Sequence, residues 1–239
     1  MTKSVAILQS SYIPWKGYFD IMASVDEFIL YDDRQFTRRD WRNRNRIKTP
    51  EGTRWLTIPV ESKGRYEQRI DETAISDPGW ADRHWRTILG SYGRAPCFPD
   101  YRDALDELYR TSTEHRLSAV NRRFLEAIAG LLGIRTTLSW STDYEAEGAK
   151  TERLVSLCRA AGATEYLTGP RARDYLDEPA FEAAGIRLSY FDYSGYPEYE
   201  QLHPPFEHEV TALDLIVHTG AEAPRYLKSS AAALAAHEA

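Results

Sequence analysis

The chain has 239 residues, 42% hydrophobic and 28% charged, with a formal net charge of −6; this is enough apolar surface for a sizeable core and argues against disorder across its body. It has no run of about 18 apolar residues, and its opening, MTKSVAILQSSYIPW, has too short an apolar segment and no small-residue cleavage site, so neither a membrane span nor a signal peptide is expected and a cytoplasmic protein is. Two cysteines, Cys97 and Cys158, offer neither a metal spacing nor a disulfide framework.

Residues 4–9, SVAILQ, form a short apolar run ending at a turn signal, which predicts a buried strand. Residues 16–24 predict a helix, and 26–33, DEFILYDD, a second strand that ends in two carboxylates. Strand, helix, strand over 4–33 is a βαβ unit and predicts parallel pairing. Open α/β sheets bind ligands beyond the carboxyl ends of their strands, so residues 9–15 and 32–44 are expected to flank a site. Residues 44–60 read as a hairpin turning at TPEGT. Ser76, Asp77 and Pro78 signal a helix start, and Trp80, His84, Trp85, Ile88 and Leu89 follow at helical spacing. Two further helices, over 99–112 and 114–132, complete a helical lobe from 77 to 133.

From Ile134 the α/β pattern returns: a strand over IRTTLSW, a helix over AKTERLVSLCRAAG closed by Gly162, a strand over EYLTG, a short helix near 178–184 and a strand over IRLSYFDY. The Tyr- and Pro-rich stretch 195–206 predicts a loop lying over a site, 210–219 a helix, and the tail SSAAALAAHEA is expected to fray. The fold class is α/β: a Rossmann-like, mostly parallel sheet with an appended β-hairpin and an inserted helical lobe. A single domain is expected over 1–239, its α/β core drawn from 1–76 and 134–220.

QSSYIPWKGYFD, residues 9–20, crowds Tyr12, Trp15, Tyr18 and Phe19 into the turn leaving the first strand, beside Gln9, Ser10, Ser11 and Lys16. Each aromatic alone reads as edge padding; together they suit stacking and hydrogen bonding to a ligand. Residues 34–48, RQFTRRDWRNRNRIK, hold seven Lys or Arg against the single acid Asp40. In an acidic protein such a segment suits a bound anion, whereas a polynucleotide would favour a basic face over the whole domain, so no nucleic-acid partner is expected. Period-two alternation is expected to send Trp41, Asn43 and Asn45 to one side and Arg42, Arg44 and Arg46 to the other. Guanidinium forks suit phosphate or carboxylate, and amides suit sugar hydroxyls; the plainer alternative is a sheet edge protected by charge.

Asp32 is either a cap or salt-bridge partner, or a base; the nearby arginines are expected to lower its pKa and favour the first role. His84 sits at the edge of a core-facing stripe, where most histidines are structural, yet an ordinary pKa near 6.5 suits proton transfer. Lys150 and Thr151 open a helix after Gly148, as a phosphate seat or with Thr151 as a plain N-cap. His203, His208 and His218 are too scattered to imply a metal. Neither cysteine has a base beside it in sequence, so neither is expected to act as nucleophile.

QSSYIPWKGYFDIMASVDEFILYDDRQFTRRDWRNRNRIKTPEGTRWLTIPV resembles the opening of the WbqC-like proteins, whose pattern runs Gln-Pro-x-Tyr-x-Pro-Trp-x-Gly-Tyr-Phe, then Asp-Asp-x-Gln, Trp with Asn-Arg-Asn, and Trp-Leu-Thr-x-Pro-Val; Ser10 stands where the pattern usually has Pro. Similarity continues through WADRHW, AKTERLVSLCRAAGATEYLTG and ALDLIVHTG. Such proteins occur in gene sets for surface polysaccharides and secondary metabolites, often where an amine is decorated. The resemblance therefore implies transfer of an acyl or aminoacyl group to the amine of an amino-sugar or similar metabolite. It makes candidates of Gln9, Tyr12, Trp15, Asp32, Gln35, Trp41, Asn43, Arg44, Asn45, Trp80, His84, Lys150, Thr151 and Asp214.

On this reading Arg44 and its neighbours hold a phosphate, His84 or Asp32 takes the proton from the attacking ammonium, and Asn43 or Gln9 donates to the carbonyl oxygen. The donor is phosphopantetheine-borne or the acceptor nucleotide-linked; no tightly bound cofactor and no catalytic metal are expected, and an acyl or peptidyl carrier protein is the partner such a donor implies. The alternatives are a nucleotide-dependent ligase or nucleotidyltransferase, and a non-catalytic subunit binding a sugar phosphate or carrier protein.

Overall fold

The computed structural model describes residues 2–229; of the Ala-rich tail, only Ser229 falls within them. The first βαβ unit forms as the apolar pattern requires: β1 (Ser4–Leu8), α1 (Lys16–Ala23) and β2 (Glu27–Leu30), with Val5 paired to Glu27 and Leu8 to Leu30 in a parallel ladder. The second strand stops at Leu30, so Asp32 and Asp33 lie in the loop beyond it. The hairpin β3 (Arg44–Thr49) and β4 (Gly52–Thr57) makes its own two-stranded antiparallel sheet. Gly52 takes a φ of 110° at its turn, a conformation that a side chain would strain.

Helices α2 (Trp80–Tyr92), α3 (Phe98–Arg110) and α4 (Leu117–Leu131) follow. The chain then returns to the sheet through β5 (Thr137–Trp140), α5 (Lys150–Ala160), β6 (Glu165–Thr168), α6 (Glu178–Ala183) and β7 (Arg187–Tyr190), and ends in α7 (Ala212–Thr219) and a 3₁₀ turn, Gly220–Tyr226. Helix α5 closes as a glycine cap predicts: Gly162 has a φ of 68°, and Ala163 N–H reaches back to the Cys158 carbonyl at 2.8 Å.

The five sheet strands lie in the order β5-β2-β1-β6-β7, and all neighbours run parallel. Alternation along the strands divides the core between two faces. Ala6, Phe28 and Leu30 join α1, α4, α7 and the helical lobe in one apolar cluster; Val5, Ile7 and Ile29 join α5 and α6 in the other. Strand order reverses between β1 and β6, the two strands from which the chain winds outward in opposite directions. That reversal opens a crevice at their carboxyl ends, the usual ligand position in such sheets. Among the described residues, no helix is long and apolar enough to cross a membrane.

Candidate functional site at the carboxyl rim of the sheet

The aromatics of the first loop belong mostly to the interior. Tyr12, Ile13 and Phe19 are fully buried, Tyr18 nearly so, and Trp15 is half-buried. Tyr12 enters the helical lobe, where its ring meets Trp80 edge-on at 5.7 Å and Phe124 at 5.5 Å. Its hydroxyl lies 2.9 Å from His84 Nδ1 and 2.8 Å from Tyr109 Oη. The Thr57 carbonyl, 3.2 Å from His84 Nε2, can only accept, so Nε2 carries the proton and Nδ1 accepts from Tyr12. Burial pulls the imidazole down to about 4, leaving His84 neutral with both nitrogens engaged. Trp80, 2% exposed, packs against the same ring.

The first loop and the arginine segment do meet at the rim. Arg42 Nη1 donates to the carbonyls of Gln9 at 2.8 Å and Ser10 at 3.0 Å, and Tyr12 N–H donates to the Trp41 carbonyl at 3.2 Å. Tyr18 Oη donates to the same Gln9 carbonyl at 3.0 Å. The Gln9 side-chain amide makes no hydrogen bond among the described residues, and the residue is half-buried at the rim. Asn43 and Asn45 face inward, as alternation predicts, but their amides serve the backbone: Asn43 Nδ2 donates to the Ile58 carbonyl at 2.7 Å and Asn45 Nδ2 to the Tyr12 carbonyl at 3.1 Å. Asn121 on α4, which sequence reasoning did not single out, completes this seam by donating to Ser10 Oγ at 2.8 Å and the Arg42 carbonyl at 2.9 Å.

Asp32 corrects an expectation. It is 1% exposed, accepts from Ser10 N–H at 2.8 Å and from the Ser118 hydroxyl. Burial raises its carboxyl above the usual range, outweighing those hydrogen bonds and the Arg42 charge. The arginines act on its neighbour instead: burial pushes Asp33 up too, but Arg34 at 2.8 Å, Arg153 at 2.6 Å and Ser141 at 2.8 Å hold it below the usual range.

The alternation of the basic segment also needs correction, because the strand begins only at Arg44. Trp41 lies on the arginine side, its ring 5.2 Å from that of Trp55. The Arg44 guanidinium sits 4.1 Å from the Trp55 ring, and Arg46 5.9 Å from both indoles. Arg42 points the other way, into the seam. Trp41 and Trp55 are 38% and 41% exposed, two of the four large apolar side chains so exposed among the described residues. With Arg38 and Arg39 also exposed, this side presents two tilted indoles with cations around them; Arg54, paired with Ile47, lies on the other face of the hairpin. Gln35 is exposed elsewhere, bridged to Arg69 and donating to the Tyr66 carbonyl at 2.9 Å.

Lys150 is exposed with a φ of 49°, and Thr151 is buried. Thr151 is not the N-cap: that position is Ala149, without a side-chain bond, while Thr151 Oγ1 accepts from Asp177 N–H at 3.1 Å. This pair does not join the hairpin surface through any hydrogen bond of Thr151. Cys158 is buried, and burial pushes its thiol up to about 12, which suits a small apolar side chain.

A second polar centre lies where α1 and α7 start side by side, tied by a backbone bond from Ala212 N–H to the Pro14 carbonyl at 2.8 Å. Lys16, 2% exposed, donates to the Pro197 carbonyl at 2.9 Å and lies 5.1, 5.3 and 5.9 Å from the rings of Tyr196, Tyr199 and Phe206. Burial brings its ammonium down to about 8, against the pull of Asp20, Asp214 and Glu198. Asp214, fully buried, accepts at Oδ1 from Tyr199 Oη at 2.7 Å and Gln201 Nε2 at 2.8 Å. The loop 195–206 thus covers Lys16, and Trp15 leans on it through Tyr193 and Tyr196 at 5.5 and 5.6 Å.

A doubly wound parallel sheet, with a cationic aromatic hairpin joined to the loop of its first strand, defines a Rossmann-like α/β protein. The chain belongs to the WbqC-like protein family, which matches residues 9–226. It is 53% identical over 226 residues to Uncharacterized protein Rv1507c of Mycobacterium tuberculosis (strain ATCC 25618 / H37Rv), a match that covers 95% of this chain and 98% of that protein. No solved structure matches the chain.

Proposed function

We propose that the protein is a transferase that forms an amide, moving an acyl or aminoacyl group from an activated donor to the amine of an amino-sugar or similar metabolite. The observation that carries this reading is the pair of exposed indoles, Trp41 and Trp55, with the half-buried Arg44 guanidinium against Trp55, beside the first loop. A π face flanked by guanidinium groups suits the base and phosphates of a nucleotide-linked sugar or the nucleotide end of a pantetheine thioester. A thioester is reactive enough that holding donor and amine together supplies much of the rate, so His84 and Asp32 contribute by fixing the loop rather than by taking the proton. Gln9, whose amide is uncommitted, is the donor to the developing oxyanion.

The test is a thermal-shift panel of nucleotide-sugars, ATP and acyl-pantetheine compounds, followed by mass detection of amide formed from an acyl thioester and an amino-sugar. Stabilisation by nucleotide-sugar or thioester together with amide product supports the reading; no product with any pair rules it out. A second reading, a nucleotide-dependent ligase or nucleotidyltransferase, is favoured by the reversal of strand order between β1 and β6. It expects stabilisation by ATP and consumption of ATP in turnover. Cytoplasmic location and carrier-protein delivery of the donor belong to the same proposal.

A further inference from the structure

Strand β4 leaves one edge of the hairpin open. Ile58 N–H donates to the Asn43 carbonyl at 2.7 Å just past the ladder, so antiparallel alternation gives Leu56 and Arg54 the main-chain bonds to Asn45 and Ile47. The peptide groups of Thr53, Trp55 and Thr57 therefore point to the outer edge. The opposite edge of the hairpin shows the same parity: the Arg46 carbonyl accepts from Thr211 N–H at 2.9 Å, and Lys48 N–H donates to Tyr92 Oη at 2.9 Å. On the β4 edge His84 Nε2 takes the Thr57 carbonyl. The N–H and carbonyl groups of Thr53 and Trp55 have no partner among the described residues. Both residues are exposed, and so is Arg54 between them. Such a row of unpaired groups is a template for another strand.

The two sides of this edge differ in chemistry. On one side stands the Trp55 indole, with the Arg44 guanidinium 4.1 Å away. On the other, Arg54 lines a groove of about 400 Å³ that it shares with Arg86, Thr87 and Gly90 of α2. Asp82 engages Arg86, whereas Arg54 has no hydrogen bond or ion pair among the described residues. The one acid in the lining is Glu51, whose carboxylate accepts from Thr49 Oγ1 at 3.1 Å. A second copy of the chain fits this edge poorly, because β4 against β4 brings Arg54 and the cations around Trp55 up to their own kind.

We propose that β4 takes up an extended segment of an acidic partner protein as a third strand of the hairpin sheet. Alternation along the added strand sends a carboxylate side chain into the groove at Arg54 and a β-branched or aromatic one against Trp55. The pairing uses main-chain groups that the amide-forming reading leaves idle, so the proposal goes beyond that reading and stands without it.

Fluorescence anisotropy of the intact chain with a labelled, end-capped Thr-Glu-Val-Glu-Val-Glu-Thr peptide tests the edge. The peptide binds, and its Lys-for-Glu counterpart binds about tenfold more weakly or worse. N-Methylation of the Glu amides and of the Val amides, in two separate peptides, is the decisive comparison, since only one set faces β4. One methylated peptide loses about tenfold or more and the other keeps its affinity. Arg54→Glu reverses the preference between the Glu and Lys peptides. Equal loss with both methylated sets overturns the proposal, because charge alone then holds the peptide. Absence of binding by the Glu peptide also overturns it, the result expected if Arg54 only guards a solvated edge. Tighter binding of oligothymidylate than of the peptide overturns it in favour of a nucleic-acid surface. The methylation comparison uses the wild-type chain and holds even where the variant does not fold.

Discussion

The indole of Trp15 lies over Gly17 so closely that a Cβ on residue 17 would sit 2.3 Å from Trp15 Cζ2. Gly17 is in the first turn of α1, where alanine would improve helix propensity by about 1 kcal/mol. The clash works against this, because the Trp15 ring is held by Tyr193 and Tyr196 and has little room to yield. Gly17→Ala is expected to destabilise the protein by about 1–3 kcal/mol in urea denaturation. A variant more stable than the parent would mean the indole moves freely.

His84 makes stability depend on pH. Its folded value of about 4 lies below the ordinary 6.5, so between the two the unfolded chain binds the extra proton. The contribution is complete above 6.5 and is lost as pH falls through that value toward 4, at up to about 1.4 kcal/mol per pH unit. Denaturation curves of wild type and His84→Gln across this window are expected to differ in slope by that amount. Parallel slopes would place a charged imidazole in the folded protein.

Asp32 holds Ser10 and Ser118. Asp32→Ala strands both donors and is expected to cost about 2–4 kcal/mol. Asp32→Asn keeps an acceptor and removes the buried charge; because burial raises the folded pKa, the ionised form costs stability at neutral pH, and the amide is expected to fall within about 1 kcal/mol of wild type. If Asp32→Asn keeps that stability yet abolishes amide formation, Asp32 is the base after all.

Trp55→Ala changes an exposed side chain and Arg44→Ala a half-buried one that also donates to the Arg39 carbonyl, so the first is expected to shift stability by about 1 kcal/mol or less and the second by about 1–2 kcal/mol. Both are expected to erase the thermal stabilisation given by whichever nucleotide-sugar or thioester binds the parent. Retained stabilisation in both variants would move the anion away from the hairpin.

The βαβ opening and the order of later elements were legible because apolar runs of strand length alternate with helical periods. The meeting of the first loop with the arginine segment was legible too, since both leave parallel strands at one end. The side each basic residue faces was not: period two holds only inside a strand, and Trp41 and Arg42 precede Arg44, where β3 begins. The role of Tyr12 was misread because a turn aromatic can enter a core built from helices some 70 to 110 residues later. Lys16 with Asp214, and Asn121 with Ser10, are pairs from distant segments that no local pattern marks.

Asp20 carries a consequence for chain-end engineering. Fully buried in α1, it accepts from Tyr196 Oη at 2.6 Å and from the backbone N–H groups of Lys228 and Ser229 at 2.9 and 2.8 Å. One carboxylate therefore fastens both the strap across Lys16 and the last described turn of the chain. Trimming the polypeptide ahead of Lys228, or pulling on it with a fusion, would slacken that strap and speed deuterium uptake at residues 195–206, far away in sequence.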